Sequence, residues 1–435
     1  WLVAGLRMVA GPGFGPGRAV SFAAGLTTAA VVGYLATRRT VDWRAGIVAA
    51  ALFLGLGFPG DYPWFAFYKE DMLGVALSLG AIAALERRGH HARGSVGAGF
   101  LAGAAFLVKQ TFVAASLAGF VWLWRSNRRG ASTFAATVLA VAIVPSALLL
   151  VSNPAFFDNI VRANLNPYSP DILLSNLAIL ARYQAAPVML ALLGVASRAV
   201  RFRDWADDPL VAFWMVSFLL LPLTLGKVGS NWNYWIPFAA ATAPLATHSL
   251  WAALVRRGTV STLGRLGVVA ALLGLLVSPA WLLRPELDLR SVLTHTMQPD
   301  QRQANEFADV LQRVRSEPGE VLAEPLDILV LADRQIAFEP YIFSVLSRQG
   351  QWDPSPLVRE ICRGQIGLLV LDHRLDGPDW QYQGYTHWPA IVLDALRGSM
   401  RLDRTQARLY LYVPSSNSAG REATTNRSAS CGNGT

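Results

Sequence analysis

The chain has 435 residues, of which 53% are hydrophobic and 15% charged, and carries a formal net charge of +9. Long apolar runs that end in arginines exclude an ordinary soluble globule and indicate a polytopic helical membrane protein. The charge does not indicate nucleic acid, because the arginines flank apolar segments, and the two cysteines, Cys362 and Cys431, have no CxxC spacing and define neither a metal site nor a disulfide framework.

Hydropathy and arginine placement define one alternating path. The sequence begins at Trp1 inside an apolar stretch, which reads as an N-terminally truncated fragment. Ala19 to Thr37 runs inward to Arg38 and Arg39, and Ala45 to Phe58 runs outward to Gly60-Asp61-Tyr62-Pro63. Met72 to Leu85 returns to Arg87, Arg88 and Arg93. Val96 to Val108 goes outward, and Phe112 to Trp124 comes back to Arg125, Arg128 and Arg129. Thr133 to Val151 exits, and Pro187 to Ala199 enters towards Arg198, Arg201 and Arg203. Leu210 to Leu225 exits, Trp235 to Val255 enters to Arg256 and Arg257, and Leu266 to Leu283 exits last. Each inward end carries arginine, so the positive-inside rule orients every segment consistently. Arginine in place of lysine, with abundant alanine and glycine, suggests a GC-rich bacterial genome and an inner-membrane location.

Between Thr133–Val151 and Pro187 lies an outer loop in which Asp171 to Arg182 reads as an amphipathic helix along the surface. Residues 298–413 form a small extracytoplasmic α/β domain after the membrane part, residues 1–285. Gln301 to Arg315, Pro340 to Arg348 and Ser355 to Arg363 are its expected helices. Asp327 to Leu331, Gly367 to Leu371 and Arg408 to Val413 are its expected strands. The Ser-, Thr-, Asn- and Gly-rich tail, 414–435, reads as disordered.

The chain has three lysines, Lys69, Lys109 and Lys227, and this path places all of them at the outer edge, where cations are normally depleted. The arms around Lys109-Gln110-Thr111, Val96 to Val108 and Phe112 to Trp124, each make roughly 20 Å of helix, short of the roughly 30 Å hydrocarbon core. Lys109 therefore sits deep, where a charge needs protein or a wet cavity around it. Lys227 is followed by Asn231, Asn233 and Tyr234, amide and aromatic groups suited to a sugar. Asp71 and Glu70 precede an apolar run, where helix capping is the bland explanation, and Asp61 fits a turn. His295, His373 and His387 show no metal spacing.

The segment Gly99-Phe100-Leu101-Ala102-Gly103-Ala104-Ala105-Phe106-Leu107-Val108-Lys109-Gln110-Thr111 resembles a recurring stretch of GT-C membrane glycosyltransferases. So do Lys69-Glu70-Asp71-Met72-Leu73 and Lys227-Val228-Gly229-Ser230 with Asn233-Tyr234 and Pro237. The order of these motifs, over residues 1 to 285, is similar to the polyprenyl-phosphate-sugar-dependent group that includes protein mannosyltransferases and lipid A aminoarabinose transferases. The resemblance implies a mainly α GT-C-like fold and transfer of a sugar from polyprenyl phosphate to a lipid, glycan or protein acceptor at the outer face. It implies that Lys109 and Lys227, with Lys69, hold the donor phosphate, and that Asp71 is a second acidic group near the sugar or a metal. Asp61, Gln110, Asn231, Asn233 and Tyr234 would contact substrate. In that family the main acid lies in the first outer loop, which with the first helix is read as missing here, Trp1 to Gly17 being the loop's end. A divalent metal is left open by the resemblance, as is its position. The rival readings are a secondary transporter, against which the one-sided polar groups and absence of a repeat count, and a non-catalytic membrane scaffold.

Overall fold

The computed structural model describes residues 2–11, 13–56, 69–88, 91–153, 155–161, 164–198, 208–255, 301–378, 381–382 and 385–415. Asp61, the final crossing Leu266 to Leu283 and the tail beyond residue 415 lie outside the described residues. The chain divides into two compact units.

The first unit is helical. After α1 (Leu2–Ala10), of which only the part up to Leu6 belongs to it, its helices are α2 (Gly15–Thr40), α3 (Trp43–Leu56), α4 (Asp71–Arg88), α5 (Ala92–Val108), α6 (Ala114–Ser126), α7 (Arg128–Ser152), α8 (Ala155–Ile160), α9 (Pro170–Arg198), α10 (Pro209–Leu225) and α11 (Ile236–Val255). Short 3-10 turns at Gln110–Val113 and Trp232–Trp235 lead into α6 and α11. Every expected crossing except the last falls on one of these helices. By length and apolar composition, α2 and α7 suffice to cross a membrane, and the two halves of α9 would together make a third.

Two expectations change here. Part of the stretch read as the end of a loop, Trp1 to Gly17, is helical: Leu2–Ala10 is α1. Asp171 to Arg182 is helical as expected, but it does not end there: it is the first half of α9, which bends by 74° into Gln184–Ala196. The reason is Pro187 inside the helix. Its missing N–H frees the carbonyl four residues earlier, and its ring pushes that turn away.

α2 and α4 run side by side in the same direction. At their first ends Ser21 Oγ donates to the Lys69 carbonyl at 2.7 Å. At their far ends the Arg39 guanidinium pairs with Glu86 and, at 2.8 Å, with Asp208. Asp208 also caps α10, accepting from Leu210 N at 2.9 Å. Arg39 is thus more than an orienting loop charge, because its side chain is only 7% exposed and ties three helices together. α5 seats closely on α7 through Gly99 and Gly103, where an added Cβ would come within 2.8 Å of the Phe134 carbonyl and of Val141 respectively.

The second unit is a small α/β layer structure. It contains α12 (Gln301–Ser316), β1 (Glu320–Ala323), α13 (Leu326–Leu331), α14 (Pro340–Arg348), α15 (Ser355–Cys362), β2 (Ile366–Leu371), β3 (Gln381–Tyr382), β4 (Tyr385–Thr386), α16 (Ala390–Ser399), β5 (Met400–Gln406) and β6 (Leu409–Pro414). The main sheet has the order β1-β2-β6-β5, with β1 parallel to β2 and the other pairs antiparallel. Strand side chains alternate between faces. Leu322, Leu369 and Leu371 enter one core with Trp388 and Leu396, whereas Val321, Leu368 and Val370 enter the other with Val310 and Val314.

Asp327 to Leu331, expected to be a strand, is helix α13. A short continuous apolar run does not distinguish a buried strand from a buried helical turn. Here β1 already supplies the strand beside β2, and Pro325 opens the helix. Cys362 is disulfide-bonded, which its spacing does not announce.

Candidate functional site

The polar groups gather where α4, α5, α10 and α11 meet their loops. Asp71 opens α4, and its side chain is 2% exposed. Its Oδ1 accepts from Lys109 Nζ at 2.9 Å and from Asn233 Nδ2 at 3.0 Å. Glu70 lies 3.4 Å from the same ammonium, and the Tyr234 ring centroid lies 5.0 Å from it. A buried carboxylate without partners would be expensive, so this arrangement stabilises both charges. Asp71 Oδ2 and Asn233 Oδ1 have no hydrogen-bond partner among the described residues. Both side chains line a small void of about 20 Å³ with Ser217 and Thr224.

Lys109 is at this point because α5 stops there. Its backbone is extended, with φ −163 and ψ 132, and the chain turns through Gln110–Val113 into α6. The apex expected from the short arms is therefore present, although α5 itself begins at Ala92 and is longer than the expected arm.

Lys227 reaches the same region from a loop bound to another loop. Ser169 N donates to the Gly226 carbonyl at 2.8 Å, Val228 N donates to Pro167 O at 2.9 Å, and Asn166 Nδ2 donates to Val228 O at 2.9 Å. Tyr168 pairs with Lys227 as an isolated antiparallel bridge. The ring of Tyr168 occupies the space a side chain at position 226 would need, since an added Cβ would come within 2.4 Å of it. Gly226 therefore serves loop packing against Tyr168.

Lys109 and Lys227 both line a cavity of about 920 Å³. Gln110, Thr111, Asn164, Asn166, Ser230 and Tyr234 add polar groups, and Phe106, Leu107, Leu148, Leu149, Phe156 and Ile160 add apolar wall. The wall from α7 continues into uncovered apolar surface: Leu148 is 67% exposed and Val151 85% exposed. One compartment thus offers two ammonium groups beside an apolar surface.

The remaining expected site residues separate. Lys69 is held by its backbone against Ser21 and is not among the cavity-lining residues. Asn231 caps the turn before α11, its Oδ1 accepting from Trp232 N at 2.7 Å, and it does not line the cavity either. Asn164, Asn166 and the Pro145–Leu149 turn of α7 are cavity residues that were not singled out as site candidates from sequence. The signal for the α7 turn was only a proline in an apolar run, which has no specific functional meaning. Among the described residues no group of three His, Cys, Asp or Glu ligands converges at this end; the group that does so belongs to the second unit.

Residues 1–154 match the dolichyl-phosphate-mannose-protein mannosyltransferase family. No curated protein sequence matches the chain. Among solved structures, ArnT from Cupriavidus metallidurans bound to undecaprenyl phosphate is similar, with TM-score 0.55 and 16% identity over 97% of this chain and 88% of that one. The apo state of the same protein gives TM-score 0.54 and 15% identity over the same shares, 97% and 88%. A weaker likeness to the Archaeoglobus fulgidus oligosaccharyltransferase has TM-score 0.47 and 14% identity over 82% of this chain and 58% of that one. At these identities the likeness is one of fold.

Proposed function

We propose that this GT-C membrane glycosyltransferase moves a sugar from a polyprenyl-phosphate donor to an acceptor hydroxyl at the outer face of a bacterial inner membrane. The observation that carries the reading is the shared compartment of Lys109 and Lys227: two cations beside an apolar wall that runs onto the uncovered face of α7. That combination suits a ligand with a phosphate head and a long hydrocarbon tail. ArnT, the structure similar in fold, was solved bound to such a lipid, undecaprenyl phosphate.

In the reaction proposed, the acceptor oxygen attacks the anomeric carbon and the bond from that carbon to the phosphate oxygen breaks. The electron pair leaves with polyprenyl phosphate. Lys109 and Lys227 neutralise the charge that grows on it, and they do so without reorganising water. The acceptor proton passes to a carboxylate. Asp71 Oδ2 is a candidate because, among the described residues, it has no hydrogen-bond partner, while Oδ1 holds Lys109. Gln110, Asn233 and Tyr234 shape the sugar-binding side, whereas Asn231 and Lys69 contribute to the surrounding structure.

The orientation rests on arginine placement: Arg38, Arg87, Arg93, Arg125, Arg128 and Arg129 lie at the helix ends remote from Lys109, which the positive-inside rule assigns to the cytoplasm. On the same path the second unit is extracytoplasmic, and the disulfide at Cys362 fits an oxidising compartment. The test is release of polyprenyl phosphate from a polyprenyl-phosphate sugar by membranes containing the protein. Release by wild type and its loss in a Lys109→Ala, Lys227→Ala double variant are expected. Equal release by the double variant would overturn the assignment.

A further inference from the structure

The second unit contains a group of side chains that the transfer reaction does not use. Glu324 directly follows β1, and Asp372 and His373 directly follow β2. These strands are parallel, and Glu324 N donates to the Val370 carbonyl at 2.9 Å. All three residues therefore emerge at the same carboxyl edge, the position at which open α/β sheets bind ligands. His387, between β4 and α16, reaches the same carboxylate from the other side.

The geometry is that of a ligand set. His373 Nδ1 lies 2.8 Å from Glu324 Oε2 and 2.9 Å from Asp372 Oδ1. One ligand atom from each residue falls within 4.8 Å of the others. Glu324 is only 2% exposed, and each of its oxygens faces an imidazole at ion-pair distance, Oε2 that of His373 and Oε1 that of His387. Bringing a second carboxylate, Asp372, to the same point adds like-charge repulsion. A cation between them removes that repulsion.

We propose that Glu324, Asp372 and His373 bind a divalent cation of the zinc class, with His387 holding the Glu324 carboxylate in position. The mixed nitrogen and oxygen donors favour zinc over calcium or magnesium, which prefer all-oxygen shells. His387 contacts Oε1, the oxygen opposite the one beside His373, as an outer residue that orients a ligating carboxylate does. Asp372, 64% exposed, leaves the site open to solvent on one side, so a metal can enter and keep a water ligand. Such an ion would join the ends of β1 and β2 to the segment preceding α16, and it is independent of the lysine-lined cavity.

The experiment is a zinc titration of the full chain, purified in detergent and stripped with chelator, by competition with a chromophoric chelator. Saturable binding of one ion per chain is expected, with cobalt giving the visible absorption of a low-coordinate site. Asp372→Asn, on the exposed side where folding is least at risk, is expected to weaken binding at least tenfold, and His387→Ala about 10- to 100-fold. Calcium at the same concentration should not displace zinc. Absence of saturable binding would overturn the proposal, and so would equal affinity in Asp372→Asn and His373→Ala, which would locate the ion elsewhere. Because binding is read without sugar transfer, failure here leaves the transferase reading untouched, and the reverse.

Discussion

The Lys109 ammonium sits 2.9 Å from the Asp71 carboxylate across 38 residues of sequence, in contact with an acid at one side and a lipid-sized cavity at the other. The cation is thereby held in place without a ligand. A fixed charge of this kind stabilises a transition state better than a mobile one.

Lys109→Ala is expected to lower sugar transfer by about 100-fold or more, the scale found when one charge-stabilising donor is removed. Because the change also leaves the buried Asp71 carboxylate without its cation, the second variant Lys109→Gln, which keeps a hydrogen-bond donor, is needed to separate chemistry from stability. Transfer from a polyprenyl-phosphate sugar, normalised to folded protein, is the measurement. Near-normal rates in both variants would remove Lys109 from the site.

Asp71→Asn alone tests Asp71 as the base. If Asp71 takes the acceptor proton, kcat should fall by about 100-fold and the acid limb of the pH–rate profile should disappear. A loss under about tenfold with the limb retained would assign the proton to another carboxylate and leave Asp71 as the group that positions Lys109.

For Lys227 the expected effect is on binding. Lys227→Ala should raise the donor KM about tenfold, equivalent to about 1.4 kcal/mol, with a smaller change in kcat. Gly226→Ala should act in the same direction, since its methyl group would meet the Tyr168 ring and displace the loop that carries Lys227. A Gly226→Ala enzyme with unchanged KM would argue against that positioning.

At the far ends of α2 and α4, Arg39→Ala should destabilise the helical unit by about 3 kcal/mol, because it leaves the partly buried Glu86 and Asp208 as neighbouring acids without their cation. The thermal unfolding midpoint in detergent should fall, while donor KM in the folded fraction stays the same. An unchanged midpoint would mean that water reaches these acids.

In chelator-treated protein the second unit should have a defined pH window. Burial alone would raise the Glu324 carboxyl, but hydrogen bonds from His373 and His387 hold it down to about 2, and the bond to Glu324 pushes His373 up to about 9. The His373 contribution is complete below its ordinary value of 6.5 and is lost as pH rises through about 9. The Glu324 contribution is complete above its ordinary value of 4.5 and is lost as pH falls through about 2. Calorimetry of the second-unit transition should therefore show a decline towards alkaline pH, and Glu324→Gln should flatten it. An alkaline decline of the same size in Glu324→Gln would place its cause outside this pair.

Much of the helical unit could be read along the chain because membrane-type helices declare themselves locally, through apolar length and flanking arginine. The termini of α2, α4, α7 and α10 lie within a few residues of the expected ones. Local patterns failed where distance decided the outcome. The run Asp327–Leu331 has strand-like composition, yet β1 takes the place beside β2 and the run folds as α13. His373 and His387 have no metal spacing, but the pairing of β1 with β2 carries His373, and the segment after β4 carries His387, to Glu324. Asn231 and Asn233 are two residues apart and chemically identical, and the turn at Trp232–Trp235 sends one to a cap and the other to Asp71.

By itself the sequence determined the class of molecule and the rarity of its lysines, since both follow from composition and from the cost of charge near lipid. Only the tertiary structure decided which lysines share a compartment. Lys109 and Lys227 share one cavity because the end of α5 and a loop clamped to Tyr168 face the same space, while Lys69 is drawn back against α2 by Ser21. That choice depends on helix packing between distant segments, which no local pattern encodes.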